Sequence, residues 1–415
     1  MLNIQFIREN ATAVKEAIKN RRTYAPIDEI IEADEKRRIS IAKLEEMRKR
    51  RKDLAKERSE TVSEEGRRLR DNLKCAEDDL RILEESLQDL LLQVPNMPDH
   101  LTPIGQTEDD NIVLRTENVR IPKFDFVPKK HWELGENLDI IDFERGVRLS
   151  GSRFYVLKGQ GASLQRALIN FFLDKHTREH GYKEVFPPFM VHKEIAYASG
   201  NLPKFADNLY HDIEEDYWFV PTAEMPLTGM HTGEILSSKD LPMNYVAHTS
   251  CFRREKMSAG KDVRGIKRGH QFEKVEMYKL TTPENSMDEL MNIVSNAEDT
   301  IKDLKLPYRI KSICTADLGF SSTRSFDLEI YAVGQDEWLE VSSCSNCKDF
   351  QARRANIKYR PESDAKAEYV HTLNGSGLAL PRVMIAIMEN YQNADGSIEV
   401  PQVLRPYMGI DVIKS

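Results

Sequence analysis

The chain has 415 residues, of which 40% are hydrophobic and 31% are charged, and its formal net charge is −8. This length indicates two domains, and the negative charge excludes a uniformly basic nucleic-acid-binding surface, so any RNA site must be a local patch. Five dispersed cysteines are typical of a reducing cytosol. The start MLNIQFIREN has no apolar signal core, and no run approaches ~18 apolar residues, so we expect a soluble cytoplasmic protein without a membrane anchor.

The N-terminal part of the sequence predicts a helical arm. Apolar residues follow a heptad spacing over 69–94 and, with polar interruptions at Asp34, Arg37 and Arg51, over 27–54. Residues 61–66 resemble a turn, so the two stretches are expected to fold back as an antiparallel coiled coil over about 27–94. With about 30 residues per helix, the arm should extend about 45 Å.

Charge is unevenly distributed along this arm. Residues 48–74 carry 11 basic and 6 acidic side chains, a net of +5, whereas 28–47 and 75–93 together carry 5 and 13, a net of −8. Two interpretations remain open: a solvated face with an oligomerisation seam, or a tip that contacts a phosphate backbone. The candidate residues for such a phosphate-backbone contact, at the tip, are Arg48, Lys49, Arg50, Arg51 and Lys52.

A proline-marked linker that begins at Pro95 separates the arm from a larger body, and we place the domain boundary between residues 104 and 105. Helical and strand-like stretches alternate through 105–415 and predict a largely antiparallel sheet with flanking helices. The helical stretches are 164–181, 283–304 and 381–392, and the strand-like ones are 184–186, 327–331 and 338–342.

The richest segment is residues 250–276, which reads SCFRREKMSAGKDVRGIKRGHQFEKVE. Its flanks, 252–255 and 270–276, predict two strands joined by a long loop containing Gly260 and Gly265. Such a hairpin offers an arginine fixed on a strand for a phosphate, an aromatic ring for a base and a basic loop. Because no GxGxxG or GxxxxGK[ST] motif occurs, these features indicate an ATP-using enzyme without a glycine-rich phosphate loop.

Several long blocks resemble the seryl-tRNA synthetases, a class II aminoacyl-tRNA synthetase family. They include TAEMPLTGMHTGEIL at 222–236, FRRE…HQFEKVE at 252–276, EVSSCSNCKDFQARRANIKYR at 340–360 and HTLNGSGLALPRVMIAIMENYQ at 371–392. The resemblance implies an α+β fold, with an antiparallel-sheet catalytic domain and an N-terminal antiparallel α-helical coiled-coil arm that binds the long variable arm of serine tRNA. It also implies a homodimer, joined partly through the segment ending at Pro187–Pro188, that converts L-serine and ATP to seryl-adenylate and then charges the tRNA.

The resemblance also implies roles in ATP binding. Arg253 and Arg382 are the expected catalytic residues: Arg253 contacts the α-phosphate and the serine carboxylate, while Arg382 covers adenine and reaches the γ-phosphate. Phe272 would stack on adenine and Glu255 would accept from its amino group. Without the resemblance, Arg253 would be interpreted as part of a surface ion pair, Arg382 as an arginine at a helix start and Phe272 as a core residue. The remaining expected ATP-binding residues are Arg254, Gly269, Glu340, Val341, Ser342 and Ser343.

Magnesium and serine are assigned in the same way. Glu340 and Ser343 supply the hard oxygens that magnesium prefers beside phosphates. Besides Arg253, the expected serine-binding residues are Thr222, Ala223, Glu224, Glu276, Asn374 and Ser376. In this set a carboxylate neutralises the substrate ammonium, and the NGSG turn meets the hydroxyl, which would reject alanine by leaving polar groups unpaired.

Three alternatives remain open at this point. Cys344 and Cys347 form a C-x-x-C that would suit zinc or redox chemistry, but no second pair completes a site. The whole chain could be a paralogue that binds RNA or protein without charging tRNA, or a ligase that loads a small amino acid onto a carrier protein. Departures from the family text at Met257, Val263, Gly269 and Pro381 remove no charge from the expected chemistry.

Overall fold

The computed structural model describes residues 1–415 except 55, 57–59, 118–120, 257–263 and 363. For residues 60–63 it describes the backbone but not the side chains. Contacts between Cα atoms divide the chain into two units, 1–97 and 98–415. The functional boundary between 104 and 105 stays a prediction. Within the described ranges, no helix is both long enough and apolar enough to cross a membrane.

The first unit is helical and contains the predicted arm. Its helices are α1 (Ile4–Glu9), α2 (Ala11–Asn20), α3 (Ile27–Leu54) and α4 (Glu60–Leu91). Ion pairs of 2.9 Å join Arg48 to Glu77 and Arg50 to Glu65 across α3 and α4. A third pair joins Arg37 to Glu84 at 4.0 Å. As the α3 partner advances from Arg37 to Arg48 and Arg50, the α4 partner moves back from Glu84 to Glu77 and Glu65, which confirms the antiparallel arm.

The predicted turn at 61–66 was wrong, because α4 already begins at Glu60. Gly66 suggested a turn, yet it lies in the helix, where an added Cβ would meet no atom within 4 Å. Its cost is therefore one of helix propensity alone. The connection lies between Leu54 and Glu60, and most of it falls outside the described residues.

The heptad seam is buried at some positions and half-buried at others: Ile30 is fully buried on α3 and Leu73 nearly so on α4, whereas Leu80 and Leu83 are half-buried. Asp34, expected as a polar interruption, is itself fully buried in this seam. Arg8 and Arg37 donate hydrogen bonds of 2.6 and 2.9 Å to its two carboxylate oxygens. The buried charge is thus satisfied on both oxygens, as an interior carboxylate requires.

The second unit combines helices with a large sheet. Its helices are α5 (His131–Asn137), α6 (Phe143–Ser150), α7 (Gly159–Arg178), α8 (Lys193–Ser199), α9 (Glu224–Gly229), α10 (Ser286–Asp303), α11 (Phe350–Ala355), α12 (Leu380–Asn390) and α13 (Arg405–Met408). Its strands are β1 (Ile112–Thr116), β2 (Ile141–Asp142), β3 (Val156–Leu157), β4 (Lys183–Glu184), β5 (Met190–His192), β6 (Tyr217–Phe219), β7 (Ile235–Ser237), β8 (Met243–Phe252), β9 (Gln271–Thr281), β10 (Tyr308–Ser312), β11 (Arg324–Ala332), β12 (Glu337–Lys348), β13 (Lys358–Arg360), β14 (Glu368–Tyr369), β15 (His371–Ala379), β16 (Ile398–Glu399) and β17 (Val412–Ile413).

Eight of the described strands form the main sheet, in the order β1-β10-β11-β12-β15-β9-β8-β4. Every neighbouring pair is antiparallel except β4 and β8. This arrangement confirms the predicted α+β fold with a largely antiparallel sheet. Helices α7, α10 and α12 bury apolar residues in the core of this unit.

Strand alternation separates a core face from a polar face on β9. Val275 and Met277 are fully buried in the main hydrophobic core. Phe272, Lys274 and Glu276 point to the opposite side, since successive side chains on a strand face opposite ways. The polar face of the sheet centre is where the candidate site lies.

Candidate active site

A cavity of about 620 Å³ opens over the polar face of the main sheet. Most of the residues predicted from the sequence line it. They are Thr222, Glu224, Arg253, Glu255, Gly269, Phe272, Glu340, Ser343, Asn374, Ser376 and Arg382. The chain segments that carry them are separated by up to 160 residues, so the sheet brings them together.

Arg253 lies immediately beyond β8, not on the strand as predicted. The strand ends at Phe252, although the Arg253 backbone N–H still donates to the His270 carbonyl at 2.9 Å. The side chain is fixed by a 3.1 Å bond from Nε to the Pro221 carbonyl and by its position 5.1 Å from the centre of the Phe272 ring. The guanidinium is therefore held rigidly at the cavity wall.

Of the two residues after Arg253, only Glu255 lines the cavity. Arg254 does not line the cavity: its Nε donates to the Leu209 carbonyl at 2.8 Å, and its guanidinium lies over the Tyr210 ring. Glu255 lines the cavity and has a positive φ of 51°, a left-handed conformation that ends the extended chain. The predicted strand over 252–255 is thus wrong beyond its first residue.

A β-bulge brings Glu340 and Ser343 to the same face. In an undistorted strand, residues three apart face opposite ways. Here Glu329 pairs with Glu340 whereas Leu328 pairs with Ser342, so Val341 is the extra residue. Val341 and Ser342 are fully buried and their side chains do not line the cavity.

Asp327 lies beside this pair, opposite Ser343 in the register. Its Oδ1 is buried without a hydrogen-bond partner in the described part of the chain. Burial, followed by the nearby Glu340 carboxylate, raises the pKa of Asp327 well above its usual range. Within the described residues no three His, Cys, Asp or Glu side chains form a ready metal cluster, but the unpaired oxygen and the Glu340–Ser343 pair fit a hard cation shared with a phosphate ligand.

Arg382 and Gly269 complete this side of the cavity. Arg382 follows Pro381, which occupies the first turn of α12, where its missing N–H costs nothing. The Arg382 guanidinium donates to the Glu340 carbonyl at 2.6 Å and lies 3.3 Å from the Glu340 carboxylate. At Gly269 a Cβ would come within 3.0 Å of the Tyr155 ring, so glycine fits there; Met257 and Val263 lie outside the described residues.

Glu276 lies beneath the other end of the cavity with 1% of its side chain exposed. It accepts a 2.8 Å hydrogen bond from the Thr222 hydroxyl and an ion pair from Lys274. The Lys274 ammonium also lies 3.1 Å from Thr222 Oγ1 and lines the cavity. Sequence reasoning missed Lys274, although its spacing of two from Glu276 on a strand places both on the same face.

Glu224 forms a second carboxyl group at this end. It accepts hydrogen bonds from Asn374 Nδ2 at 3.0 Å and from Gln351 Nε2 at 2.6 Å. Burial, and secondarily Glu276, raises the pKa of Glu224 to about 7. Near neutral pH its carboxyl can therefore both donate and accept. Ala223 is fully buried and its side chain does not reach the cavity.

Ser342 supports the site from behind the cavity, and two buried cysteines follow it on β12. The Ser342 hydroxyl donates to the Ser376 carbonyl at 2.6 Å, which supports the strand carrying Asn374 and Ser376. Cys344 and Cys347 are fully buried free thiols, and burial raises the pKa of each to about 12. A protonated, buried thiol is inert, so the C-x-x-C is structural.

Two family models match the chain. The model for the tRNA synthetase class II core domain (G, H, P, S and T) matches residues 206–391, which include the cavity residues described above. The model for the Seryl-tRNA synthetase N-terminal domain matches residues 1–98, which contain the arm. The sheet, the cavity and the core model together define a class II aminoacyl-tRNA synthetase.

Comparison with relatives that align over the full length identifies the family within this class. The serine–tRNA ligase of Dehalococcoides mccartyi is 60% identical over 414 residues, covering 100% of both chains. The crystal structure of the seryl-tRNA synthetase from Pyrococcus horikoshii complexed with ATP is 36% identical with a TM-score of 0.92, over 100% of this chain and 99% of that one. The cytoplasmic serine–tRNA ligase of Naegleria fowleri in complex with AMP is 31% identical with a TM-score of 0.88, with the same coverage. The chain belongs to the seryl-tRNA synthetase family.

Proposed function

We propose that this protein uses ATP to ligate L-serine to serine tRNA through a seryl-adenylate intermediate. The observation that carries the proposal is the cavity in which Arg253, Phe272 and Arg382 lie opposite the Thr222–Lys274–Glu276 cluster. One end offers cations and a ring for a nucleotide, and the other offers buried carboxylates for an amino acid. The full-length similarity to serine–tRNA ligases supports the same reaction.

Adenylation joins the serine carboxylate to the α-phosphorus of ATP and releases pyrophosphate. The nucleophile is already anionic, so the step needs no general base. The rigid Arg253 guanidinium would bind the carboxylate and the α-phosphate together and stabilise the charge that develops between them. Positioning and electrostatics would supply most of the acceleration.

The nucleotide end would hold adenine between Phe272 and Arg382, with Glu255 accepting from the adenine amino group. Glu340 and Ser343 would hold magnesium, with Asp327 beside them. The ion would neutralise phosphate charge when bound. The hydrogen bond from Arg382 to the Glu340 carbonyl would hold the residue that covers adenine at a fixed position relative to the carboxylate that binds magnesium.

At the serine end, Glu276 would take the substrate ammonium and Thr222 would orient that carboxylate. Glu224, Asn374 and Ser376 would meet the rest of the amino acid. Alanine would leave these polar groups unpaired, so the site would reject it strongly. Threonine would have to be excluded by steric closure.

The basic tip of the arm would bind the phosphate backbone of the long variable arm of serine tRNA. Lys49, Arg51 and Lys52 are exposed, while Arg48 and Arg50 share their charge with acidic partners.

We also propose that the protein is a homodimer located in the cytoplasm, and this proposal rests on family membership. In the second step a terminal ribose hydroxyl of the tRNA would attack the carbonyl carbon of seryl-adenylate, forming the ester and releasing AMP.

Pyrophosphate exchange into ATP, measured without tRNA, tests the chemistry. Serine, threonine, alanine and cysteine are compared, and we expect strong exchange with serine alone. Exchange with none of them, from folded protein, would favour a paralogue that binds RNA without charging it. Exchange followed by transfer to a carrier protein instead of tRNA would identify the other ligase class.

A further inference from the structure

Gln351 is a fully buried amide in the first turn of α11. Its Nε2 donates hydrogen bonds to Glu224 Oε1 at 2.6 Å and to the Ser199 carbonyl at 2.9 Å. Its Oε1 accepts a 2.6 Å hydrogen bond from the Thr372 hydroxyl. The side chain therefore links three separate elements behind the serine end of the cavity.

The orientation of this amide is set by its partners. Two of them, the Glu224 carboxyl and the Ser199 carbonyl, are acceptors, and the third is the Thr372 hydroxyl. A flipped amide would place Gln351 Oε1 against the Ser199 carbonyl, which cannot donate, and would lose that bond. Only one rotamer of the amide satisfies the site, so Gln351 is a rigid donor.

Both amide donors on Glu224 converge on the same oxygen. Gln351 and Asn374 bond Oε1 from two sides, and within the described residues no side chain bonds Oε2. Because Glu224 lines the cavity, the second oxygen is available to a ligand. The charged groups that face this carboxyl are Glu276, Lys274 and Arg253.

We propose that Gln351 is a positioning residue for serine recognition: it fixes one Glu224 oxygen so that the other faces the substrate. This inference rests on the proposed function, and it assigns to Gln351 no contact with substrate. A neutral donor suits the position because a carboxylate would repel Glu224, and a cation would hold Glu224 ionised and compete with the substrate ammonium. The Thr372 hydroxyl in turn orients the Gln351 amide by donating to its Oε1.

The consequence is a selective loss of serine binding. Without the amide, Glu224 keeps only the Asn374 bond, and its carboxyl is no longer held by two donors. We expect KM for serine to rise about tenfold or more, as for the loss of a buried hydrogen bond to a charged group. KM for ATP should stay within about twofold, because the nucleotide end contains no contact from Gln351.

The test compares Gln351→Met with a matched control, Gln392→Met. Gln392 is a second buried glutamine, which bonds the Lys129 backbone at both ends and does not line the cavity. Serine and ATP dependence of pyrophosphate exchange are measured with thermal melting of each variant. A rise in KM for serine alone, in Q351M but not in Q392M, supports the proposal.

Thr372→Val provides a second variant if Q351M does not fold, since it removes one bond and leaves Gln351 in place. It should raise KM for serine by several-fold without altering KM for ATP. Equal changes in both KM values, or none, in folded variants would overturn the positioning role. Absence of serine-dependent exchange in the unmodified protein would instead contradict the proposed function, so the two failures are distinguishable.

Discussion

The arm and the catalytic unit use the same charged residue types in opposite ways. In the arm, Arg48 and Glu77 pair while each remains 50% exposed. At the serine end of the site, Lys274 lines the cavity and pairs with Glu276 beneath it, with 12% and 1% of their side chains exposed. Exposed pairs contribute little to stability and are screened by salt, whereas buried pairs are costly to break. The arm charges thus remain available to a partner, and the cavity charges are fixed for chemistry.

The strongest test of this contrast is Arg253→Glu. Reversing a rigid charge at the reacting centre should lower the rate of adenylate formation by about 10³-fold or more. Arg145→Glu, on the exposed surface of α6, is the control and should leave the rate unchanged. Both are measured by pyrophosphate exchange. Retained exchange in R253E would remove Arg253 from the mechanism.

Glu276→Gln should have the next largest effect. It removes the carboxylate proposed for the substrate ammonium and leaves the Lys274 ammonium unpaired in the cavity. We expect kcat/KM for serine to fall about 10²-fold, as when one partner of a buried pair is lost. Steady-state kinetics with serine and with ATP varied in turn measure this. An unchanged KM for serine would contradict the assignment.

At the arm tip, the triple replacement of Arg48, Arg50 and Arg51 by alanine should weaken tRNA binding about tenfold. The slope of log affinity against log salt should fall by less than about three, because two of the arginines already share their charge with Glu77 and Glu65. Filter binding across a salt series measures both, and Arg81→Ala, among the acidic residues nearer the arm base, is the control. Unchanged aminoacylation would refute the tip assignment, and altered adenylation would contradict the separation of roles.

The smallest expected effect concerns stability. Because the pKa of Glu224 is raised to about 7, its neutral form is favoured in the folded state. That stability is present below the ordinary carboxyl pKa and is lost as pH rises through about 7. The free energy of unfolding of Glu224→Gln should therefore gain about 1–2 kcal/mol relative to the parent between pH 5 and pH 8.5. Urea titrations would show a constant difference if the carboxyl did not titrate.

The helices of the arm could be predicted well because a heptad seam is a local pattern. The position of the turn could not be predicted. Glycine is common in turns, but Gly66 lies on an open surface of α4, where glycine is tolerated. Similarly, alternation predicted β9 but not the end of β8 at Phe252. Beyond this end, the Arg254 N–H donates to the Asn208 carbonyl and Glu255 has a positive φ. Neither feature leaves a signal in the local sequence.

The cavity residues could be predicted largely from the resemblance, and their partners could not. The bulge at Val341, which turns Glu340 and Ser343 to the same face, leaves no mark on composition. Gln351 lies 127 residues from Glu224 in the chain, and only the folded sheet brings them together. Lys274 was missed although the sequence held a signal for it, because alternation on β9 places it on the same face as Glu276.

The ion pair between Lys274 and Glu276 has a consequence for how an amino acid enters. The Lys274 ammonium pairs with Glu276 Oε2, which also accepts from the Thr222 hydroxyl, so the site carries its own counter-ion. A substrate ammonium that binds Glu276 as proposed would compete with Lys274 for this carboxylate, as two cations compete for one site on an ion-exchange resin. A zwitterion would meet both members of the pair, because its carboxylate can face the Lys274 ammonium, whereas a simple amine would meet Glu276 alone.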